Sequence, residues 1–399
     1  MIRLLTFTTI FPNSIQPQHG VMVENRLHQL LDTAEVSTRV IAPVPWFPSQ
    51  SARFGQYGSF AKVPLDEIRR SVPVHHPRFP VIPKVGSDVA PLLLAAATYR
   101  SVAREVANFD VIDAHYFYPD GVAAMLIAKR LGKPIVITAR GSDINVFPQR
   151  PVPRQWIRWA ANRCDAIITV SGALRDAIRA LGIAQPRIVV LRNGVDLDRF
   201  APLDMGEARK KLQWGPGRVL LSVGKLVEAK GHALVVEALI GIPDVRLVIV
   251  GAGPFRDDLR RLAAQKGVGD RVSLVGEVPH SELATFYSAA DLSILASARE
   301  GMPNVVLESL ACGTPVIATD VGGIGEIMTP SIGVLLRERT PHALHEAIIA
   351  LLQAKPAVAV VRRHAEELSW KPVIKEQVQL YRDVLQRRQI ATLNAGGYT

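Results

Sequence analysis

Cysteine is scarce in this sequence of 399 residues, and so are the other marks of a disulfide scaffold, a metal cluster or a membrane span. Cys164 and Cys312 lie far apart in apolar segments. They read as buried thiols in a reducing compartment, not as a disulfide or a zinc site. No stretch of about 18 apolar residues is found, so no spanning helix is expected. The opening Met1-Ile-Arg-Leu-Leu-Thr-Phe is too short and too β-prone for a signal peptide. Low-complexity tracts and short repeats are missing too, which argues against a solenoid. Acidic residues are the remaining shortage, and it is uneven. Residues through Val195 carry 23 Lys+Arg against 13 Asp+Glu, whereas the remainder carries 24 against 23.

The basic excess includes Arg53, Lys62, Arg69, Arg70, Arg78, Lys84, Arg100 and Arg104, near Trp46, Phe47, Phe54, Tyr57 and Phe60. Cations mixed with aromatics suit an anionic membrane surface, a polyanionic substrate or nucleic acid. An ordinary soluble basic surface is the plain alternative. A hydrophobic content of 48% marks a globular chain, and its length exceeds one ordinary core, so two domains are expected.

In the first half, short apolar strands over residues 2–8, 37–43, 111–115, 134–139, 166–171 and 188–191 alternate with helices over 21–31, 122–131 and 154–163. Strands separated by helices predict a parallel, doubly wound sheet. The proline-rich segment 43–89 reads as an irregular insertion carrying surface loops. The pattern restarts with strands over 219–224, 246–250, 272–275, 292–296, 315–318 and 334–336 and helices over 232–239, 255–265, 283–288 and 306–311. The expected chain is α/β, with one Rossmann-like domain over 1–193 and a second over 194–368. A terminal helix over 369–386 returns to the first domain, and a mobile tail covers 387–399. Ligands of such sheets bind at the carboxyl ends of strands. Gly224-Lys225, Gly251-Ala-Gly253, Arg299-Glu300-Gly301 and Gly141-Ser-Asp143 all follow strands, so ligands are expected in the cleft between the domains.

Glu300 and Glu308 bracket a short segment broken by Gly301, Pro303 and Asn304. The first carboxylate therefore sits on a loop and the second in the opening turns of a helix, whose free N–H groups suit phosphate or sugar oxygens. Two acids that merely cap and solvate a helix are the plain alternative. Lys225 and Lys230 flank a strand-to-helix loop and together could neutralise a diphosphate. Asp196-Leu-Asp198 has the form of a metal-binding pair but follows an Asn-Gly turn at the domain junction, and no metal is implied. Gly251-Ala-Gly253 lacks the third glycine of a dinucleotide fingerprint, so NAD is not expected. Trp156 and Trp159, at helical spacing, read as packing.

These stretches, in this order and spacing, resemble the retaining family 4 glycosyltransferases of GT-B architecture, of the bacterial polysaccharide-assembly type. The resemblance rests on Ser222-Val-Gly-Lys-Leu-Val-Glu-Ala-Lys-Gly, Leu247-Val-Ile-Val-Gly-Ala-Gly-Pro, Arg271-Val-Ser-Leu-Val-Gly and the run from Arg299 to Ala318. In the first half it rests more loosely on Asp113 to Gly121, Thr138 to Asp143, Val170-Ser171 and Arg192 to Asp196. The resemblance implies two Rossmann-like domains facing a cleft. It implies that Glu308 holds the nucleotide ribose, Glu300 the transferred sugar, and the backbone from Gly301 through Met302, Pro303 and Asn304 to Val305 the sugar and β-phosphate. Lys225 and Lys230 would stabilise the leaving diphosphate, with Gly20 and Gly224 letting backbone approach the donor. Lys225 stands where the family usually has Arg, and Arg140 where many relatives have His. Arg140 cannot act as a base at neutral pH and would instead hold a donor phosphate or an acidic acceptor, with Asp143 orienting it or accepting from an acceptor hydroxyl. A structural ion pair is the alternative for these two. Glu24, His115 and Asp120 fall on the acceptor side.

The sequence is thus read as a cytoplasmic hexosyltransferase, peripheral at the inner face of the cell membrane if its basic half binds lipid. Its donor is a UDP- or GDP-sugar and its acceptor a saccharide, free or lipid-linked. No cofactor, metal or nucleic acid is required. A sugar-nucleotide epimerase or hydrolase of the same architecture, and a basic nucleic-acid-binding protein, are the alternatives.

Overall fold

The computed structural model describes residues 1–81, 88–183 and 187–396. Lys84 of the basic cluster lies outside the described residues. The chain forms two units. One comprises residues 1–192 and the C-terminal segment from Lys371 onward, and the other spans Asn193–Trp370.

The first unit contains β1 (Ile2–Phe7), β2 (Val36–Ile41), β3 (Val44–Pro45), β4 (Asp66–Arg69), β5 (Val72–His75), β6 (Arg78–Phe79), β7 (Val111–His115), β8 (Ile135–Ala139), β9 (Ala166–Thr169) and β10 (Ile188–Val190). Eight of these make one sheet in the order β10-β9-β8-β7-β1-β2-β5-β4, and β3 pairs separately with β6. The sheet is parallel except where β4 runs antiparallel to β5. Its central strands Val-Ile-Asp-Ala-His and Ile-Val-Ile-Thr-Ala are buried along their whole length. That burial is what a parallel sheet covered on both faces demands; Ile-Val-Ile-Thr-Ala is nearly all apolar, whereas Val-Ile-Asp-Ala-His buries two polar side chains, Asp113 and His115.

The segment expected to be an irregular insertion is a correction. It supplies β5, which joins the main sheet beside β2, and β4 at the edge. Pro73 masks this strand in the sequence, since proline removes a ladder donor. Here its ring is exposed between buried Val72 and Val74. The expected mobile tail also differs. One helix runs from Trp370 to Gly396, because residues 387–396 contain no helix breaker before its end and Arg388 ties back to Asp165 at 2.7 Å.

The second unit holds β11 (Arg218–Val223), β12 (Val245–Val250), β13 (Val272–Gly276), β14 (Leu292–Leu295), β15 (Val316–Thr319) and β16 (Gly333–Leu336). All are parallel, in the order β13-β12-β11-β14-β15-β16. Leu220, Leu247, Ile249, Leu292 and Ile317 pack against Val235, Leu344 and Ile348 of the covering helices. Strand order reverses at β1/β7 in the first unit and at β11/β14 in the second. These are the points where crevices open beyond the carboxyl ends of strands.

Helices Ala90–Arg104, Gly172–Ala180, Pro341–Gln353 and Val358–Glu366 complete the layers and are not among the expected elements. Two of them carry legible start signals. The Ser171 hydroxyl accepts Leu174 N–H, and the Thr340 hydroxyl accepts Ala343 N–H with Pro341 at the first position. Among the described residues no single helix is long and apolar enough to cross a membrane.

Candidate active site

In the second unit the functional side chains collect where β11 and β14 end. Lys225 lies just past β11 with its side chain exposed, and among the described residues it has no ion-pair partner. Lys230 is different. Its Nζ donates to Glu300 Oε1 at 2.5 Å, and the Ser297 hydroxyl donates to the same oxygen at 2.6 Å. The two lysines are therefore not equivalent. One is an open cation, while the other is held by the acid expected to meet the transferred sugar. Glu308 lies in the helix Asn304–Ala311 and is 5% exposed. Its Oε1 meets His280 Nε2 at 2.8 Å and its Oε2 accepts the Tyr287 hydroxyl at 3.1 Å. Each oxygen keeps a further lone pair for a ligand hydroxyl. Burial and the Glu308 charge keep the Tyr287 hydroxyl protonated, well above its ordinary range.

The start of helix Asn304–Ala311 has no side-chain cap. Pro303 stands at the cap position, and Asn304 Oδ1 is engaged by Asn193 Nδ2 at 3.0 Å. Gly301 and Met302 precede it as buried loop, pinned by Gly323 N–H on the Gly301 carbonyl at 2.8 Å. First-turn amides from Asn304 and Val305 thus point out of an uncapped terminus, a geometry that favours an anion. Close backbone approach shapes the opposite wall. Gly231 has φ +71°, and a Cβ there would lie 1.9 Å from the Ala296 carbonyl oxygen. Next to it His232 is buried behind Gly224. The Ser222 hydroxyl donates to the Ile294 carbonyl, so it accepts His232 Nδ1–H at 2.9 Å and leaves Nε2 unprotonated. Burial pushes this imidazole down to about 4, which makes it a neutral wall for the loop.

The Asp-x-Asp and Gly-Ala-Gly segments are turns. Asp196 Oδ1 accepts the amides of Asp198 and Arg199, and Gly251-Ala-Gly253 lies against the Gly224–Leu226 backbone before helix Arg256–Gln265. Trp156 and Trp159 stack edge to face on each other at 5.7 Å.

In the first unit the matching edge lies beyond β1, β7 and β8. Gly20, with φ +75°, starts helix Val21–Leu31, and a Cβ on it would meet the Ile10 carbonyl oxygen at 2.2 Å. The loop after β1 is therefore folded against this glycine. Asp120 is fully buried and clamps that loop. It accepts the Thr9 amide at 2.5 Å and the Thr8 and Thr9 hydroxyls. Burial pushes its carboxyl up to about 7, against the pull of those bonds.

His115, at the end of β7, bridges Asp113 at 2.9 Å and Arg140 Nη2 at 2.9 Å. Arg140 can only donate, so it meets a lone pair on Nδ1, and Nε2–H faces Asp113. Burial and the Arg140 charge hold His115 below its ordinary value, in the neutral form this pairing needs. Burial alone would raise Asp113, but His115, Tyr381 and Arg26 more than offset it and hold its carboxyl below the usual range. Arg26 is itself buried on Gln377 and the Leu191 carbonyl.

Asp143 and Glu24 are both engaged within the first unit. Asp143 does not meet the Arg140 guanidinium. It accepts the backbone amides of Phe117 at 2.7 Å, Gly141 at 2.6 Å and Arg140 at 3.1 Å, so it organises the turn. Glu24 is buried in an ion pair with Arg69 at 2.9 Å. Conversely, Asp113, Arg26, His232, His280, Tyr287 and Ser297 stand at or beside the site without being candidates from sequence. His232 follows Lys230-Gly231 directly, and that adjacency is a usable signal. Ser297 and Asp113 are likewise close in sequence to Glu300 and His115, whereas Arg26, His280 and Tyr287 become neighbours of the site only through the fold.

Residues 204–368 match the family model for glycosyl transferases group 1, and residues 30–199 match that for glycosyltransferase family 4. The chain is 30% identical over 385 residues to the putative teichuronic acid biosynthesis glycosyltransferase TuaC of Bacillus subtilis, covering 94% of this chain and 92% of that protein. It is also 30% identical to a D-inositol 3-phosphate glycosyltransferase of Geodermatophilus obscurus, over 80% of this chain and 77% of the relative. Among solved structures, sucrose-phosphate synthase from Thermosynechococcus elongatus superposes with a TM-score of 0.80 at 21% identity, over 97% of this chain and 100% of that one. Anabaena Alr3699/HepE in complex with UDP superposes with a TM-score of 0.74 at 18% identity, over 96% and 100% of the two chains. With two Rossmann-like units and these matches along its length, the chain belongs to the group 1, family 4 glycosyltransferases of GT-B fold.

Proposed function

We propose that the protein moves a hexose, with retention, from a nucleotide-sugar donor held by the second unit to a saccharide acceptor held by the first. The carrying observation is the grouping at the β11/β14 switch point. Lys230, Glu300 and Ser297 form one hydrogen-bonded cluster there, and Glu308 lies in the opening turns of an uncapped helix on the same stretch of chain. A diphosphate fits the helix start and the open Lys225 cation, and a ribose fits the Glu308 carboxylate. The UDP complex of HepE supports a uridine or similar nucleotide as the carrier. With Glu300 read as meeting distal hydroxyls of the sugar, and not as flanking its anomeric carbon, front-face displacement is favoured over a covalent glycosyl intermediate. In that step the bond from anomeric carbon to phosphate oxygen breaks as the acceptor oxygen bonds to the same carbon. The acceptor's proton passes to the leaving phosphate. Lysine charge and backbone amides stabilise the diphosphate, so no metal is required.

A lipid-linked acceptor in cell-surface polysaccharide synthesis fits the basic first half. Trp46 is 56%, Phe54 37% and Ile68 78% exposed near the exposed Arg53, Lys62 and Arg70. A thermal-shift screen over UDP-, GDP-, ADP- and dTDP-sugars tests the donor, since a ligand at 100 times its Kd stabilises by about 2.7 kcal/mol. No shift with any of them sinks the reading, and sugar turnover without acceptor replaces it with an epimerase or hydrolase. Sedimentation with anionic vesicles at low salt tests the membrane, and absence of binding there ends that part.

A further inference from the structure

Arg140 carries a guanidinium that, among the described residues, no carboxylate contacts directly. It follows β8 and is partly exposed. Nη2 is used on His115, while Nε is buried without a hydrogen-bond partner. Asp143, the acid nearest in sequence, is turned onto three backbone amides. Among the described residues Arg140 forms no ion pair with a carboxylate. Two acids act on its charge without touching the guanidinium: Asp143 from the backbone turn, and Asp113 behind a neutral imidazole. The Asp113 charge is also drawn on by Arg26. Burial and the Arg26 charge push Arg140 down to about 9, the expected result for a cation waiting for a counter-charge. A planar fork held at one end by His115 is preorganised for an oxyanion, which it can meet with two donors.

We propose that Arg140 is the recognition residue for an oxyanion, a carboxylate or phosphate, on the substrate bound by the first unit. His115 and Asp113 act as positioning residues. His115 fixes the guanidinium by accepting from it, and the Asp113 charge 2.9 Å from Nε2 favours the imidazole tautomer that can accept. The proposal rests on the transferase reading and sharpens it, because the acceptor would then be an acidic saccharide. A donor phosphate offers the same chemistry, so the test separates the two sources.

The full-length protein is titrated with glucuronate, glucose, inorganic phosphate and UDP at matched ionic strength, read by melting temperature and calorimetry. Wild type should bind glucuronate or phosphate at least tenfold more tightly than glucose. Arg140→Gln should lose that preference, and Arg140→Lys should keep part of it. His115→Gln should weaken the anion preference without abolishing it, which a merely structural role would not produce while melting stays cooperative. If Arg140→Gln loses glucuronate but binds UDP as before, the anion belongs to the acceptor. If UDP weakens tenfold or more, the anion belongs to the donor and the acidic-acceptor proposal is overturned. The proposal is overturned if neither anion is preferred in wild type, or if Arg140→Gln and Arg140→Lys both retain the full preference. Anion binding through Arg140 with no nucleotide binding at all would instead leave this proposal standing and sink the transferase reading.

Discussion

Asp120 gives the first unit a stability that should fall as pH rises from about 4 to about 7. Its carboxyl is fully buried against the Thr8–Thr9 loop and is pushed from 3.8 up to about 7. The folded state therefore holds the proton more tightly than the unfolded chain does. Stability from this group is complete below about pH 4, declines between about pH 4 and 7, and is flat above that. A tenfold difference in proton affinity is worth about 1.4 kcal/mol, so a roughly thousandfold tighter hold carries about 4 kcal/mol across the window, counting no relaxation of the loop. Asp120→Asn removes the titration. The carboxamide oxygen can still accept the Thr9 amide, and the Thr8 and Thr9 hydroxyls can turn to accept its N–H groups. Urea unfolding of both proteins, followed by tryptophan emission at intervals from about pH 4.5 to 7.5, should show the variant gaining on wild type as pH rises. Two curves that stay parallel over that range would refute the buried, proton-holding Asp120.

The second unit offers a steric test. Gly231→Ala combines a left-handed backbone with a contact of 1.9 Å to a carbonyl oxygen, whereas Gly267→Ala, at φ +67°, meets nothing within 4 Å. Calorimetry should show the first costing about 3 kcal/mol or more and the second about 1 kcal/mol, and equal losses would contradict the close approach. Glu308→Ala should weaken nucleotide binding at least tenfold in calorimetry with little effect on single-turnover chemistry. Glu300→Ala, which also frees Lys230, should chiefly lower kcat, and unchanged kinetics in both would remove these roles. Lys225→Ala should raise the Kd for a nucleoside diphosphate about tenfold, steeply dependent on salt, and an unaltered Kd would show that its open charge does not reach the phosphates.

Much of the architecture is legible in the sequence because parallel strands buried on both faces are continuous apolar runs. The strands at residues 166–169 and 316–319 declare themselves this way. The helix carrying Glu308 is legible for a different reason, since Gly301, Pro303 and Asn304 can only interrupt and restart regular structure. What escapes is whatever depends on distant partners. His280 and Tyr287 reach Glu308 across 28 and 21 residues, and nothing local in their segments announces it. The turn of Asp143 away from Arg140 depends on three backbone amides whose directions no residue type encodes. Val72-Pro-Val-His conceals a strand because one proline outweighs an alternating pattern that is otherwise plain.

The return of the last helix to the first unit sets an order of assembly during synthesis. The second unit is one continuous stretch of chain, Asn193–Trp370, and has all its residues once that stretch has left the ribosome. The first unit, though it begins the chain, cannot bury Arg26 on Gln377 until a residue 351 positions later has emerged. Its guanidinium and the Asp113 carboxylate beside it must therefore stay hydrated, or be sheltered by a chaperone, through most of translation. The half of the protein made first is the half completed last, and a stop codon shortly before Gln377 would leave a finished second unit tethered to an unfinished first.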